Sequence, residues 1–244
     1  MMNSGKKPNP PMKSGVNNFI ILGSSGSGKG TQAEILGRKF NLKVVDGGDY
    51  LRKLIFSRAE NSRRVSEKLN KGKLAPTDII KEWIRRQIFS KPISRGLIFS
   101  GQPRMIGEAK LALKWFKQSG RGLPLAIFLK VSTQEVLKRL KKRYICSKCK
   151  EVYTLDKPPV RPCKICGGKI IKRSDDTPRL IKNRLEYFYK QVAKTLKFFK
   201  EKGILIEVNG EQSVGEVHKE IVRKIKFYKT KSQKPNTKTI NQKV

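Results

Sequence analysis

Gly23-Ser24-Ser25-Gly26-Ser27-Gly28-Lys29-Gly30-Thr31 follows the apolar run Phe19-Ile20-Ile21-Leu22 and opens the helical pattern of residues 29–40. Glycines in such a loop let backbone N–H groups turn inward around phosphate oxygens. The helix N-terminus adds partial positive charge, and the lysine reaches the outer phosphates. A strand, this loop and a helix in that order predict a phosphate-binding loop; the alternative is a flexible Gly/Ser loop that happens to contain a lysine. The ending departs from the strict Gly-Lys-Ser/Thr form, because Gly30 stands where a magnesium-binding hydroxyl would be and Thr31 comes one place later.

Working outward from the loop, short β-like runs alternate with helical periodicity. Strands are expected at 18–22, 43–45, 96–99, 125–131 and 204–208. Helices are expected at 29–40, 49–58, 62–71, 78–89, 106–118, 133–143, 177–201 and 214–227. Five apolar strands separated by helices imply right-handed crossovers and an α/β fold: a five-stranded parallel sheet with helices on both faces. Residues 144–172 break the alternation. They hold all four cysteines and three of the twelve prolines, and read as an inserted module. The segments 1–16 and 229–244 are rich in Lys, Asn, Pro, Ser and Thr and read as disordered basic tails.

Hydrophobic residues make up 37% of the 244, enough for a packed core, so wholesale disorder is excluded. The longest apolar stretch, near 124–129, is far short of the roughly 20 residues that span a bilayer, and the lysine-containing N-terminus has no apolar signal region. No membrane association is expected, and the chain is read as cytoplasmic. Against 19 acidic residues stand 56 basic ones, a formal net charge of +37, to which the two terminal segments contribute only eight lysines. The body itself is basic and favours anionic partners. Non-specific polyanion binding and a merely lysine-rich solvated surface both fit that number.

Cys146-x2-Cys149 and Cys163-x2-Cys166 are separated by thirteen residues, and every cysteine is used. Two paired knuckles at this spacing offer four thiolates for tetrahedral zinc, against the alternatives of buried free thiols or a redox pair. Four protein ligands leave no open position, so such a metal is structural. His218, the only histidine, is expected on the surface of the last helix.

The loop variant Gly-x-x-Gly-x-Gly-Lys-Gly-Thr resembles that of the nucleoside monophosphate kinase family, adenylate kinases most closely, and further matches follow in order. Gly48-Asp49-Tyr50-Leu51-Arg52 is similar to the family's monophosphate-site segment, in which the arginine grips the acceptor phosphate. Gly72-Lys73-Leu74-Ala75-Pro76 resembles the loop whose backbone, at Leu74, lines the base pocket. Gly101-Gln102-Pro103-Arg104 is similar to the family's Asp-Gly-Phe-Pro-Arg. Arg139 and Arg143 fall where the helix entering the lid carries two arginines. Arg173, Asp175, Asp176 and Arg184 match the lid's exit, and Tyr153, Pro158-Pro159 and Cys166-Gly167-Gly168 resemble a zinc-bearing lid.

The resemblance implies a core of 17–46, 73–143 and 173–228, a monophosphate-binding insert at 47–72 and a zinc lid at 144–172. It implies reversible transfer of the ATP γ-phosphoryl to AMP with Mg²⁺, by a monomer. ATP would be held by Gly26, Ser27, Gly28, Lys29, Gly30, Thr31, Arg139 and Arg143. The monophosphate would be held by Gly48, Arg52, Leu74, Gly101, Arg104, Glu108, Arg173 and Arg184. Lys29, Arg104, Arg139, Arg173 and Arg184 would act in catalysis. Moving a phosphoryl group between nucleotides brings many negative oxygens into line, so such cationic clamps are the expected machinery.

Four positions depart from the family pattern. Ser100 replaces an aspartate of the magnesium shell, leaving Asp49 as the expected carboxylate near the metal through water. Gly47 replaces a threonine, Gln102 a phenylalanine, and Glu108 the glutamine that faces adenine. An ionised carboxylate only accepts hydrogen bonds and suits guanine better. The alternatives are therefore a kinase acting on GMP or another monophosphate, or a weakly active relative that binds nucleic acid.

Overall fold

A computed structural model describes residues 18–57, 59–149, 151–173 and 176–233. The tail expected at 1–16, the end of the other tail (234–244) and Asp175 lie outside the described residues. From the N-terminus the elements are β1 (Phe19–Leu22), α1 (Lys29–Lys39), β2 (Lys43–Asp46), α2 (Gly47–Phe56), α3 (Asn61–Asn70), α4 (Thr77–Phe89), β3 (Leu97–Ser100), α5 (Ile106–Gln118), β4 (Leu125–Lys130) and α6 (Thr133–Lys141). Three short strands follow, β5 (Arg143–Cys146), β6 (Val152–Thr154) and β7 (Ile170–Lys172). The chain then returns through α7 (Pro178–Tyr187), a π-helical turn (Phe188–Val192), α8 (Ala193–Glu201), β8 (Leu205–Asn209) and α9 (Val214–Gln233).

The main sheet has five parallel strands in the order β2-β3-β1-β4-β8, the architecture expected from the alternation. Alternate residues of β1 serve opposite faces, as a doubly covered strand requires. Ile20 and Leu22 pack with Trp83, Ile84, Phe116 and Phe199 from α4, α5 and α8. Phe19 and Ile21 pack with Ala33, Leu36, Val217, Ile221 and Ile225 from α1 and α9. Each of these side chains is 6% exposed or less. Burying a large aliphatic or aromatic side chain contributes about 1.5–3 kcal/mol, so the two layers hold the sheet rigid under the loop that crowns it.

Two differences from the sequence reading have clear causes. Residues 229–233, read as tail from their polar composition, continue α9; Ile225 and Lys229 lie one turn apart and both are buried. Within 144–172, β5, β6 and β7 form an antiparallel sheet in the order β6-β5-β7. Strands of three or four residues carry too little periodicity to read from sequence. His218, expected at the surface, is half-buried. No helix among the described residues is long and apolar enough to cross a membrane.

Candidate active site

The loop between β1 and α1 turns on glycines held in the left-handed region, Gly26 at φ 83° and Gly28 at φ 86°. Gly28 caps α1 without a side chain, leaving the first-turn N–H groups open toward an anion. A β-carbon at Gly23 would lie 2.4 Å from Ser27 Oγ, so the loop can close this tightly only on glycine. Around Gly30 the space is open, and Thr31 is exposed. Lys29 curls back over the loop and its Nζ donates to the Ser24 carbonyl at 3.0 Å.

Gly101, the residue after β3, faces this lysine. A β-carbon there would lie 3.1 Å from Lys29 Cε and 3.5 Å from Arg104 Nη2, so two cationic side chains meet over a bare backbone. Arg104 is fixed by its Nε donating to the Gly101 carbonyl at 2.8 Å. Burial, and then the nearby Arg104 charge, lower the Lys29 ammonium to about 7, against the opposing pull of Asp46. Burial likewise lowers Arg104, opposed by Glu108 and Asp46. The hydroxyls of Ser24, Ser27 and Ser100 and the Gln102 side-chain carbonyl are buried around this point with no partner. Crowded cations and unanswered polar atoms are what an arriving polyphosphate would relieve.

Two arginines, Arg143 at the start of β5 and Arg184 on α7, converge on one acid. Arg143 donates to Asp176 through Nε at 2.8 Å and Nη2 at 2.6 Å, and Arg184 Nη2 donates to Asp176 Oδ1 at 2.8 Å. The Asp176 side chain is 2% exposed. The charges of Arg143 and Arg173 both bear on Lys29. Arg143 was expected on the helix entering the lid; α6 ends at Lys141, and Arg143 opens β5 instead. Arg139 stays on α6, where its Nε donates to Glu135 at 2.7 Å.

At the other side of the cleft, Arg52 Nη2 lies 3.9 Å from Asp46 and 4.0 Å from Asp49. Asp49 is also paired to Lys53 at 2.8 Å. Next to Gly48 the space is filled by the Arg52 and Asp46 side chains, 3.1 and 3.2 Å from where a β-carbon would stand. Leu74, between α3 and α4, is half-buried. Gly47 and Gln102 are one packing unit, since a β-carbon on Gly47 would come within 2.5 Å of Gln102 Cγ.

Glu108, expected at the acceptor base pocket, has both carboxylate oxygens engaged by neighbouring groups. Oε2 accepts from the backbone N–H groups of Arg104 and Met105 at 2.9 and 3.1 Å, and Oε1 accepts from Thr77 Oγ1 at 3.2 Å. The donors at the start of α5 have no intrahelical partners, and a carboxylate three residues inside the helix answers them. Burial raises the Glu108 pKa against those hydrogen bonds.

The four cysteine sulfurs all lie within 4.8 Å of one another, with Cys146–Cys166 at 3.4 Å and Cys149–Cys163 at 3.5 Å. A tetrahedral site with metal–sulfur bonds of about 2.3 Å has sulfurs roughly 3.8 Å apart, so the cluster fits a metal and is far too open for disulfides. Tyr153, on β6, donates its hydroxyl to Cys163 Sγ at 3.1 Å and so leads the contacts that lower that thiol to about 6.

With this geometry in place, comparison with known proteins is decisive. The family model described as adenylate kinase matches residues 21–204. The chain belongs to the adenylate kinase family. It is 30% identical over 208 residues to the adenylate kinase of Caldicellulosiruptor saccharolyticus, covering 84% of this chain and 97% of the relative. It is similar to that of Bacillus cytotoxicus at 32% over 207 residues (84% and 96%) and to that of Thermosipho africanus at 30% over 212 residues (86% and 99%).

As a member of this family the chain is a nucleoside monophosphate kinase, and its cleft has parts that phosphoryl transfer needs: a glycine-rich loop at a helix N-terminus and converging cations. Three residues with defined partners in the structure were not read from the sequence. Asp46 ends β2 and N-caps α2, accepting from Asp49 N at 2.6 Å; an aspartate just before a Gly-Gly helix start was the available signal. Tyr153 was noticed only for its place in the lid, not as a thiol's partner. Arg121 gave no signal: its guanidinium donates to the carbonyls of Ile88, Lys91, Pro92 and Arg95, tying off the end of α4.

Proposed function

We propose that the chain catalyses reversible transfer of the γ-phosphoryl of ATP to AMP. The observation that carries this is the meeting of Lys29 and Arg104 over Gly101, at the mouth of the phosphate loop. In this reading the N–H groups of Gly26, Ser27, Gly28, Gly30 and Thr31 hold the ATP phosphates, with Lys29 on the outer oxygens. Arg52 and Arg104 grip the acceptor phosphate, with Gly48, Gly101 and Leu74 shaping its pocket. Arg139, Arg143, Arg173 and Arg184 close over both nucleotides as the small sheet descends. Asp176 keeps Arg143 and Arg184 apart until phosphate oxygens replace it, because like charges in a partly enclosed site repel. Glu108 serves the acceptor site indirectly, by fixing the backbone that carries Arg104.

Mg²⁺ arriving with ATP would neutralise charge on the transferring phosphates; the acids near the cleft, Asp49 among them, would orient its water shell. Cys146, Cys149, Cys163 and Cys166 would hold Zn²⁺, which ties β5, β6 and β7 into a rigid lid and takes no part in transfer. Residues 47–72 are then the monophosphate-binding insert and 144–172 the lid. A cytoplasmic monomer suits a cleft whose groups all come from one chain and a thiolate-bound metal. The test is a coupled phosphotransfer assay with ATP, Mg²⁺ and AMP, GMP, CMP or UMP, in which AMP should be the preferred acceptor.

A further inference from the structure

Nucleotide-bound magnesium keeps most of its waters and needs one or two protein carboxylates to orient them. The residue after the loop lysine, Gly30, stands in open space and offers no hydroxyl, in keeping with the family's loop, and this chain has serine at the end of β3. Two acids are near. Asp49 is already engaged by Lys53 at 2.8 Å. Asp46 stands elsewhere: it is the register partner of Ser100 across the parallel β2–β3 ladder.

Residues paired in this way point their side chains to the same face of the sheet. The Ser100 hydroxyl is 1% exposed and has no hydrogen-bond partner. The next residue is Gly101, over which Lys29 and Arg104 meet. Among the described residues, Asp46 is an acid whose charge acts strongly on Lys29, which places that negative charge on the phosphate side of the cleft.

Building on the proposed ATP-dependent reaction, we propose that the carboxylate orienting the magnesium shell has moved one strand over, from position 100 to Asp46, with the Ser100 hydroxyl donating to or accepting from the same bound water. Asp46 is a positioning residue. Its Oδ1 caps α2 at Asp49 N and lies 3.9 Å from Arg52 Nη2, a looser contact than the 2.8 Å pair of Asp49 with Lys53; with Arg52 drawn to the acceptor phosphate, the Asp46 charge would turn to metal-bound waters.

Asp46→Asn separates the two roles, since an asparagine oxygen still caps the helix but carries no charge. The measurement is Mn²⁺ affinity for the protein–ATP complex by electron paramagnetic resonance, with no acceptor present, beside ATP affinity in chelator. The expected result is that Asp46→Asn lowers the ratio of Mn²⁺·ATP affinity to metal-free ATP affinity about ten-fold, a ratio in which the effect of the lost charge on Lys29 cancels, with melting temperature close to wild type. Adding Ser100→Asp to that variant should return most of the affinity by restoring a carboxylate on the neighbouring strand. Should Asp46→Asn fold poorly, Asp46→Ser offers another capping residue and the same readout. An unchanged ratio, or a loss that Ser100→Asp does not repair, overturns the exchange while leaving the kinase reading intact. If wild type fails to bind ATP even without metal, both fall together.

Discussion

Arg143 and Asp176 form a two-pronged ion pair, at 2.8 and 2.6 Å, between the first strand of the small sheet and the segment by which the chain leaves it. Arg184 joins the same carboxylate from α7. One buried acid therefore ties the start of β5 to α7 and balances two arginines at once.

Removing that acid should be costly. Breaking a buried pair by deleting one partner leaves charge uncompensated, typically about 3 kcal/mol or more. Asp176→Ala is expected to melt roughly 6–12 °C below wild type by calorimetry. Saturating ATP should recover part of the loss, because phosphate oxygens take over the exposed arginines. A melting point within a degree or two of wild type would show that the network carries little of the hinge.

The engaged carboxylate of Glu108 leads to an expectation opposite to the one its sequence position suggests. Glu108→Gln keeps a side-chain carbonyl for the two backbone N–H groups and turns its amide toward the Thr77 hydroxyl, which can accept, so only a charged acceptor is exchanged for a neutral one, at a cost of about 1 kcal/mol. The AMP-to-GMP ratio of kcat/KM should stay within about two-fold of wild type, since the group does not reach the base. A ten-fold change in that ratio would return Glu108 to the base pocket.

Lys29 makes ATP binding pH-dependent. Its ammonium sits at about 7 in the free protein and is raised when phosphate oxygens surround it, so binding takes up a proton. Affinity should be flat below about pH 7 and fall as pH rises above it toward the pKa of the complex. Calorimetry in buffers of different ionisation enthalpy reads the proton uptake directly. Binding that releases protons between pH 7 and 8 would contradict the assignment.

The thiol cluster should carry one zinc per chain in protein purified without chelator, and Cys163→Ser should loosen the lid to proteolysis. Thiolates, not thiols, bind zinc, and Tyr153 keeps Cys163 low by donating to it. Tyr153→Phe is therefore expected to release zinc at a higher pH than wild type on acid titration. Coincident release curves would remove Tyr153 from the site.

The parts of this molecule that were legible in the sequence are those in which local chemistry and structure demand the same residues. Gly26, Gly28 and Lys29 are needed by any loop that wraps phosphate, and Phe19–Leu22 can only be a doubly buried strand. The cysteine spacing survived for the same reason. What stayed hidden depended on distant partners. The register that sets Asp46 beside Ser100 spans three helices and their loops and leaves no local mark. The role of Glu108 was masked because its position in a motif suggested a base, whereas the unpaired donors at the start of α5 claimed its oxygens first. Residues 229–233 looked like tail because helix continuation there rests on burial of one lysine stem, which composition does not report.

The central claim is that Lys29, converging with Arg104 at the phosphate loop, drives transfer from ATP to AMP. The most direct measurement is the rate of ADP formation from ATP, Mg²⁺ and AMP by wild type and Lys29→Met at equal folded concentration, with melting curves to show that both are folded. The account predicts robust AMP-dependent turnover in wild type and a loss of about a thousand-fold or more in Lys29→Met, the scale of removing a principal electrostatic stabiliser. Transfer by Lys29→Met within a few-fold of wild type, or wild type without AMP-dependent turnover, would contradict it.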